Sequence, residues 1–213
     1  MGGAGTETEI KLQLDDESAW QRLCQALGPP ASEVVQRNHF FDTPDGELAR
    51  LKLALRVRDE GDRAWVTVKG PKQRCGDAVR RFEDEAAVEV EAWRAIARGE
   101  RGLDRLAAAP LAALVGRVAL ERLVEVVRFE NLRRSYPLAV AGRDLVLEID
   151  RTVFADGAVD CEIEVEIDDA GDAELVTAVT TAVRDLLERV GLRYRIQPRG
   201  KLTRALQRRN SRP

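Results

Sequence analysis

The chain has 213 residues, 44% of them apolar, with 34 Lys and Arg against 37 Asp and Glu for a net charge of −3. That length holds one large domain or two small ones. A charged fraction of 33% is high against the usual quarter, yet its near-balance excludes the basic excess of a nucleic-acid binder and suggests charges set against one another. Cys24, Cys75 and Cys161 are odd in number and without metal-ligand spacing, which argues against a disulfide framework and for reduced thiols. The start MGGAGTE has no apolar signal region, and no stretch approaches a membrane span. Met1-Gly2 with Thr6 matches a myristoylation pattern that Gly-rich starts meet cheaply. The expectation is a cytoplasmic protein, monomeric or homodimeric, with no nucleic-acid or membrane partner.

In Thr6–Leu14, Glu7, Glu9 and Lys11 alternate with Thr8, Ile10, Leu12 and Leu14. A strand sends successive side chains to opposite faces, so one face is charged and the other mostly apolar. Asp15, Asp16, Glu17 and Ser18 are helix-start signals, followed by Trp20, Leu23, Cys24 and Leu27 at helical spacing and a stop at Gly28-Pro29-Pro30. Val34–Asp42 is extended and ends in the turn Thr43-Pro44-Asp45-Gly46. His39, the only histidine, lies in this strand and reads as structural. Leu51–Asp59 alternates, with Arg56 and Arg58 on the polar side. After the hairpin turn Glu60-Gly61-Asp62, Trp65, Thr67 and Lys69 oppose Val66 and Val68. Gly70-Pro71 stops that strand, and a polar loop runs to Asp77. In Val79–Val88, Arg81, Glu83 and Glu85 share a face, and Phe82, Asp84, Ala86 and Val88 share the other.

Ala92–Val118 reads as two or three short helices broken near Gly99, Gly102 and Pro110. In the strand Val124–Tyr136 the phase is ambiguous, so either Arg133 or Arg134 faces the charged side. Leu145, Leu147 and Ile149 oppose Glu148 and Asp150, and Ala155-Asp156-Gly157 is a turn. In Asp160–Asp168, Glu162, Glu164 and Glu166 oppose Cys161, Ile163, Val165 and Ile167. Asp172–Val190 is an amphipathic helix with Gly191 as its C-cap, and Lys201–Arg209 is a short terminal helix. There is no internal repeat and no domain linker, so the whole chain, ordered over about residues 6–209, is expected to be a single domain.

About eight strands joined mostly by hairpin-length links, each with one charged face, fit two arrangements. An open sheet could turn its charges to water, or the sheet could close into a barrel with charges inside and helices on the outside. The repeated Glu-x-Glu and Arg-x-Arg pairs favour the barrel, since solvated faces mix Thr, Ser, Lys and Gln more evenly. Buried charges need mutual pairing or a charged ligand. Arginine forks suit phosphate oxygens, and carboxylates without His or Cys suit a hard cation such as Mg²⁺ or Mn²⁺.

The ordered set Glu7-x-Glu9-x-Lys11, FFDTP (Phe40–Pro44), Leu55-Arg56-Val57-Arg58, TVKG with Lys69, Arg81-x-Glu83-x-Glu85, FENLRRSY (Phe129–Tyr136), LEIDRTVF (Leu147–Phe154), CEIEVE (Cys161–Glu166) and Lys201 resembles the CYTH superfamily, the triphosphate tunnel metalloenzymes. The wording is most similar to the plant tripolyphosphatases of that family. The resemblance implies an α+β fold, an eight-stranded antiparallel tunnel with a charged interior and helices outside, and metal-dependent hydrolysis of a triphosphate. It implies that Glu7, Glu9, Glu164 and Glu166, with Asp150 and Glu162 as second choices, hold Mg²⁺ or Mn²⁺. Lys11, Arg56, Arg58, Lys69, Arg81 and Arg133 would bind the phosphates, Lys201 would close over the substrate, and Glu83 and Glu85 would position water or the basic residues. Two positions depart from the pattern: Asn131 stands where a basic residue is common, and Gly200 where Ser is common.

Inorganic tripolyphosphate is the substrate expected first. A thiamine triphosphatase is a close variant, in which Trp65 would stack on the organic ring; a Trp65 that only packs is the plainer reading. A class IV adenylate cyclase and a non-catalytic polyphosphate- or nucleotide-binding module are the other readings. The last would lack metal ligands beside intact basic residues, and here both sets are present.

Overall fold

The computed structural model describes residues 4–75, 78–167 and 172–211. The alternating segments become strands: β1 (Ala4–Leu14), β2 (Ser32–Asp42), β3 (Ala54–Asp59), β4 (Ala64–Lys69), β6 (Ala78–Val88), β7 (Val124–Val140), β8 (Arg143–Phe154) and β9 (Val159–Ile167). Two three-residue strands, β5 (Gln73–Cys75) and β10 (Tyr194–Ile196), fall in stretches with too little alternation to read as strand. The hydrogen-bonded order is β10-β1-β9-β8-β7-β2-β3-β4-β6-β5, and β1 also pairs with β6. The eight longer strands thus form the closed antiparallel β-barrel expected from their charged faces, and closure leaves none of the eight as a free edge.

The chain divides into two compact units. The first comprises Met1–Gly5, Gln36–Pro71 and Arg81–Phe129; the second comprises Thr6–Val35, Lys72–Arg80 and Glu130–Pro213. In the second unit, Ile10, Leu12, Leu147, Ile149, Ile163 and Val165 form the core of the sheet. Helices α1 (Glu17–Leu27) and α5 (Ala173–Arg189) cover it with Trp20, Leu23, Val179, Val183 and Leu187. The start signals of α1 resolve to Asp16, whose carboxylate accepts from the Ala19 amide at 2.9 Å, and Asp172 caps α5 in the same way through Leu175.

In the first unit, Leu55, Val57, Val66 and Val68 are covered by Leu48 of α2 (Glu47–Arg50), Trp93 of α3 (Val90–Ala97) and Leu111 of α4 (Ala109–Ala112). Here the strand expected from Leu51 starts only at Ala54. The Lys52 backbone is left-handed (φ 56°), and the Leu53 amide bonds back to the Leu48 carbonyl at 2.9 Å. That 6→1 bond is a helix C-cap, so Leu51–Leu53 finish α2 instead of beginning β3. Phe82, expected on an apolar face, is 47% exposed. It lies against Gly70, whose amide bonds the Phe82 carbonyl at 2.8 Å, and where an added Cβ would meet the Phe82 Cβ at 3.3 Å. The strand stop at Gly70 is therefore also a close-approach position.

Helix α6 (Lys201–Asn210) behaves differently. Its Lys201 and Arg204 reach carboxylates on the charged faces of β8 and β9. Among the described residues, no helix is long and apolar enough to cross a membrane.

Ile163 is 1% exposed and sits opposite Ile149 and Leu12 in the two ladders that flank it. Ile163→Ala is expected to cost about 2–5 kcal/mol through lost burial and the cavity left behind, read as a lower urea midpoint at unchanged m-value.

Candidate functional site

Register builds the site. β9 lies between β1 and β8, and residues directly opposite in an antiparallel ladder share a face. Lys11 is opposite Glu164, Gln13 opposite Glu162 and Glu9 opposite Glu166. On the other side Glu148 is opposite Glu164 and Asp150 opposite Glu162. Three of these pairs set carboxylate against carboxylate, an arrangement that is destabilising unless cations intervene.

Four cations do intervene. Lys11 Nζ lies 2.7 Å from Glu164 and 3.3 Å from Glu9. Arg133 forks onto Asp150 at 2.9 and 2.7 Å, donates to Glu164 at 2.7 Å and contacts Glu148. Lys201 donates to Asp150 at 2.8 Å and Glu164 at 2.9 Å and contacts Glu162. Arg204 donates to Glu162 at 2.9 Å. Burial disfavours the charge on each carboxylate, but Lys11, Lys201 and Arg133 hold Glu164 well below the usual carboxylate range, and Arg133 and Lys201 lower Asp150. Burial likewise opposes the charge on Lys11 and Lys201, yet the facing carboxylates raise both. Glu148 is the exception. Burial pushes it up to about 7, Asp150, Glu166 and Glu164 add to the rise, and Arg133 only partly offsets it.

The open choice between Arg133 and Arg134 is decided by this geometry. Arg134 stacks 4.7 Å from the Trp20 ring and donates to Glu33 at 2.6 Å, on the opposite face of β7. Asn131, where a basic residue is common, is buried and accepts from the Thr152 hydroxyl at 2.8 Å. Glu7 is half-buried on β1, and the position opposite it lies outside the described residues.

The first unit carries a second network of opposite tilt. Lys69 is opposite Glu83 and Thr67 opposite Glu85 across β4 and β6, and Arg56 is opposite Thr67 across β3 and β4. Lys69 donates to Glu83 at 2.5 Å and Arg81 to the same oxygen at 2.7 Å. Arg56 and Arg58 reach Glu85 at 3.3 and 3.1 Å, and Thr67 donates to it at 2.7 Å. Arg58 also lies 3.6 Å from Glu60. Burial lowers Lys69 to about 8, aided by Arg56 and Arg81. Burial raises Glu83, but Lys69, Arg81 and Arg56 outweigh it and hold it down at about 2. Four cations thus face three carboxylates here, whereas in the second unit Lys11, Arg133, Lys201 and Arg204 face Glu9, Glu148, Asp150, Glu162 and Glu164. The basic network suits an anion and the acidic one a cation.

Asp150, Glu162 and Glu164 are buried and offer three carboxylate oxygens within 4.8 Å of one another. Hard oxygen donors of this kind fit Mg²⁺ or Mn²⁺. Glu7 and Glu9 on β1, and Glu166 further along β9, are more exposed. Two participants were not assigned from sequence. The sequence places Glu148 only in the general acidic set that suits a hard cation. Arg204 was missed, although it follows Lys201 by three residues and so shares its helix face, which is the signal that would have found it. Trp65 has Arg58 and Arg63 guanidiniums 4.9 and 5.6 Å from its ring centre, so cations already hold its aromatic surface.

The CYTH domain model matches residues 5–194, and the chain belongs to the CYTH domain family. It is similar to a solved structure from Hippeastrum, HpAC1, at TM-score 0.82 and 25% identity over 94% of this chain and 95% of that one; HpAC1 is a candidate adenylyl cyclase described as having a dominant triphosphatase activity. A candidate adenylate cyclase from Bacillus halodurans shares the fold at TM-score 0.69 and 21% identity, over 94% and 98% of the two chains. MJ0240 of Methanocaldococcus jannaschii, also a candidate adenylate cyclase, is 31% identical over 86 residues, 40% of this chain and about half (47%) of that protein. Family members act on triphosphates, by hydrolysis or cyclisation, and use divalent metals.

Glu148 gives a pH prediction for metal-free protein. Its folded pKa of about 7 lies above the ordinary 4.5, so its contribution to stability is complete below about 4.5 and is lost as pH rises to about 7. With chelator present, Glu148→Gln should match the parent near pH 4.5 and melt higher at pH 8, by roughly 2–4 °C per kcal/mol recovered. Equal melting temperatures at pH 8 would refute the assignment of strain to this carboxylate.

Proposed function

We propose that this protein hydrolyses a linear triphosphate, inorganic tripolyphosphate in the first place, with Mg²⁺ or Mn²⁺ as cofactor. The observation that carries the reading is the pairing, within one CYTH chain, of a buried cation-rich network with a buried carboxylate cluster. A polyanion and a divalent cation are what those two networks lack.

Arg56, Arg58, Lys69 and Arg81 bind phosphate oxygens. Their forks and point charge are already aimed by Glu83, Glu85 and Thr67, so little reorganisation is needed when phosphate arrives. Glu83, held at about 2, stays anionic at any physiological pH and therefore acts by orienting Lys69 and Arg81, not by exchanging protons. Asp150, Glu162 and Glu164, with Glu7, Glu9 and Glu166, hold the divalent cation, which would neutralise developing phosphate charge and acidify water. Lys11, Arg133 and Lys201, which cover these carboxylates, would be available to phosphate oxygens where a cation took their place on the carboxylates. Hydrolysis forms a bond from the water oxygen to a terminal phosphorus and breaks the anhydride bond, releasing orthophosphate and pyrophosphate. Positioning and charge stabilisation supply the rate.

Trp65 favours an inorganic substrate over thiamine triphosphate or a nucleotide, because Arg58 and Arg63 occupy the ring that an organic base would stack on. Adenylate cyclase activity is kept as a second reading because the partial match to MJ0240 carries that name.

The test is phosphate release from tripolyphosphate, thiamine triphosphate and ATP, each with Mg²⁺, Mn²⁺ or chelator, with cyclic AMP measured alongside. Tripolyphosphate should turn over fastest and only with metal. Turnover undiminished by chelator, or none of any triphosphate, overturns the proposal, and cyclic AMP from ATP moves the protein to the cyclase reading. Lys69→Ala should raise KM roughly 10- to 100-fold by removing a charged phosphate contact. Glu164→Gln should lower metal-dependent turnover by roughly 100-fold or more; wild-type turnover in this variant would remove Glu164 from the metal site.

A further inference from the structure

Within the second unit, a cleft of about 740 Å³ lies between α6, β10 and the turn joining β8 to β9. Four arginines line it, Arg195, Arg199, Arg204 and Arg208, against two carboxylates, Asp156 and Asp160. In a chain of net charge −3 this is a local basic excess.

The carboxylates are already taken. Arg208 lies 3.2 Å from Asp160 and 3.6 Å from Asp156. Arg204 lies 3.0 Å from Asp160 and 2.9 Å from Glu162. Arg195 and Arg199 are left with neutral partners, the side-chain oxygens of Gln13 and Gln207, each at 3.2 Å. Arg204 is 8% exposed, and its Nη2 is buried without a hydrogen-bond partner. A guanidinium nitrogen shut off from water with nothing to donate to is costly. In the cleft itself, the two forks of Arg195 and Arg199 have only neutral partners among the described residues, and an oxyanion is the partner that suits them.

We propose that this cleft binds a phosphate-class oxyanion, either orthophosphate or the end of a longer phosphate chain, with Arg195 and Arg199 as donors. The site uses none of Arg56, Arg58, Lys69 or Arg81, and the inference stands whether or not the protein is a triphosphatase. Because Arg204 also holds Glu162, an anion here is one residue away from the carboxylate cluster that the α6 lysine covers.

Calorimetric titration of the full chain with orthophosphate and, separately, tripolyphosphate tests this, with chelator present and ionic strength fixed. A Lys69→Ala background suppresses binding at the first unit's network. Arg195 and Arg199 are exposed, so the Arg195→Ala/Arg199→Ala double variant should fold, and its melting curve checks that it does. The expected result is one anion per chain in the Lys69→Ala protein and at least tenfold weaker binding once Arg195 and Arg199 are removed. Tighter binding of tripolyphosphate than orthophosphate at this site identifies a chain end as the ligand; equal binding identifies the free ion. Unchanged affinity in the triple variant, or no binding of either anion in the Lys69→Ala protein, overturns the proposal.

Discussion

Carboxylates stand opposite carboxylates along β9, and the charged half of the second unit is arranged around that fact. Glu9 faces Glu166, Glu148 faces Glu164 and Asp150 faces Glu162. Such a ladder holds only if positive charge is threaded through it. Lys11 comes from β1, Arg133 from β7, and Lys201 and Arg204 from α6. Helix α6 carries Lys201 and Arg204 one turn apart and no acidic residue in its first turn, so its placement is explained by the carboxylates these two neutralise. Burial alone would push Asp150 and Glu164 up in pKa; the cations reverse the sign. Glu148, reached among the described residues by Arg133, is where the compensation is incomplete.

This arrangement also says what a divalent cation would have to do. The three carboxylates that could hold it, Asp150, Glu162 and Glu164, are ones that Lys11, Arg133 and Lys201 already contact. A divalent cation held there would compete with these side chains for the same carboxylates. As it stands, the network satisfies its buried charges by pairing them with one another. An apolar replacement of such a network is often no less stable, so stability alone does not explain why it is there.

The first unit solves a simpler problem. Its cations outnumber its carboxylates, and the carboxylates orient Lys69, Arg81, Arg56 and Arg58 as a set. Lys69 feels its like-charged neighbours and its burial together, hence its fall to about 8. A bound polyanion would relieve both effects on that lysine.

Alternation alone placed most strands, because period-2 patterning is a local property of the chain. It found Ile10, Leu12 and Leu14 against Lys11, and Ile163 and Val165 against Glu162 and Glu164. The ordered charged motifs also made the family legible. The three-residue β5 and β10 were not legible, since each is too short to show alternation; β5 is held by the adjacent β6 and β10 by β1 at the far end of the chain. Nor was the end of α2, where a left-handed Lys52 turns an alternating Leu51–Leu53 into a helix cap. The phase of Arg133 and Arg134 was undecidable locally, because both neighbours of an Arg-Arg pair can be satisfied; packing of Arg134 on Trp20 settled it. The sequence by itself determined which charges line which strand face. Only the tertiary structure decided which charge meets which, that Glu148 is left strained, and that Arg195 and Arg199 meet only neutral partners among the described residues. Those outcomes depend on register and on contacts between residues far apart in the chain, as in Lys11 with Glu164, and no local pattern encodes them.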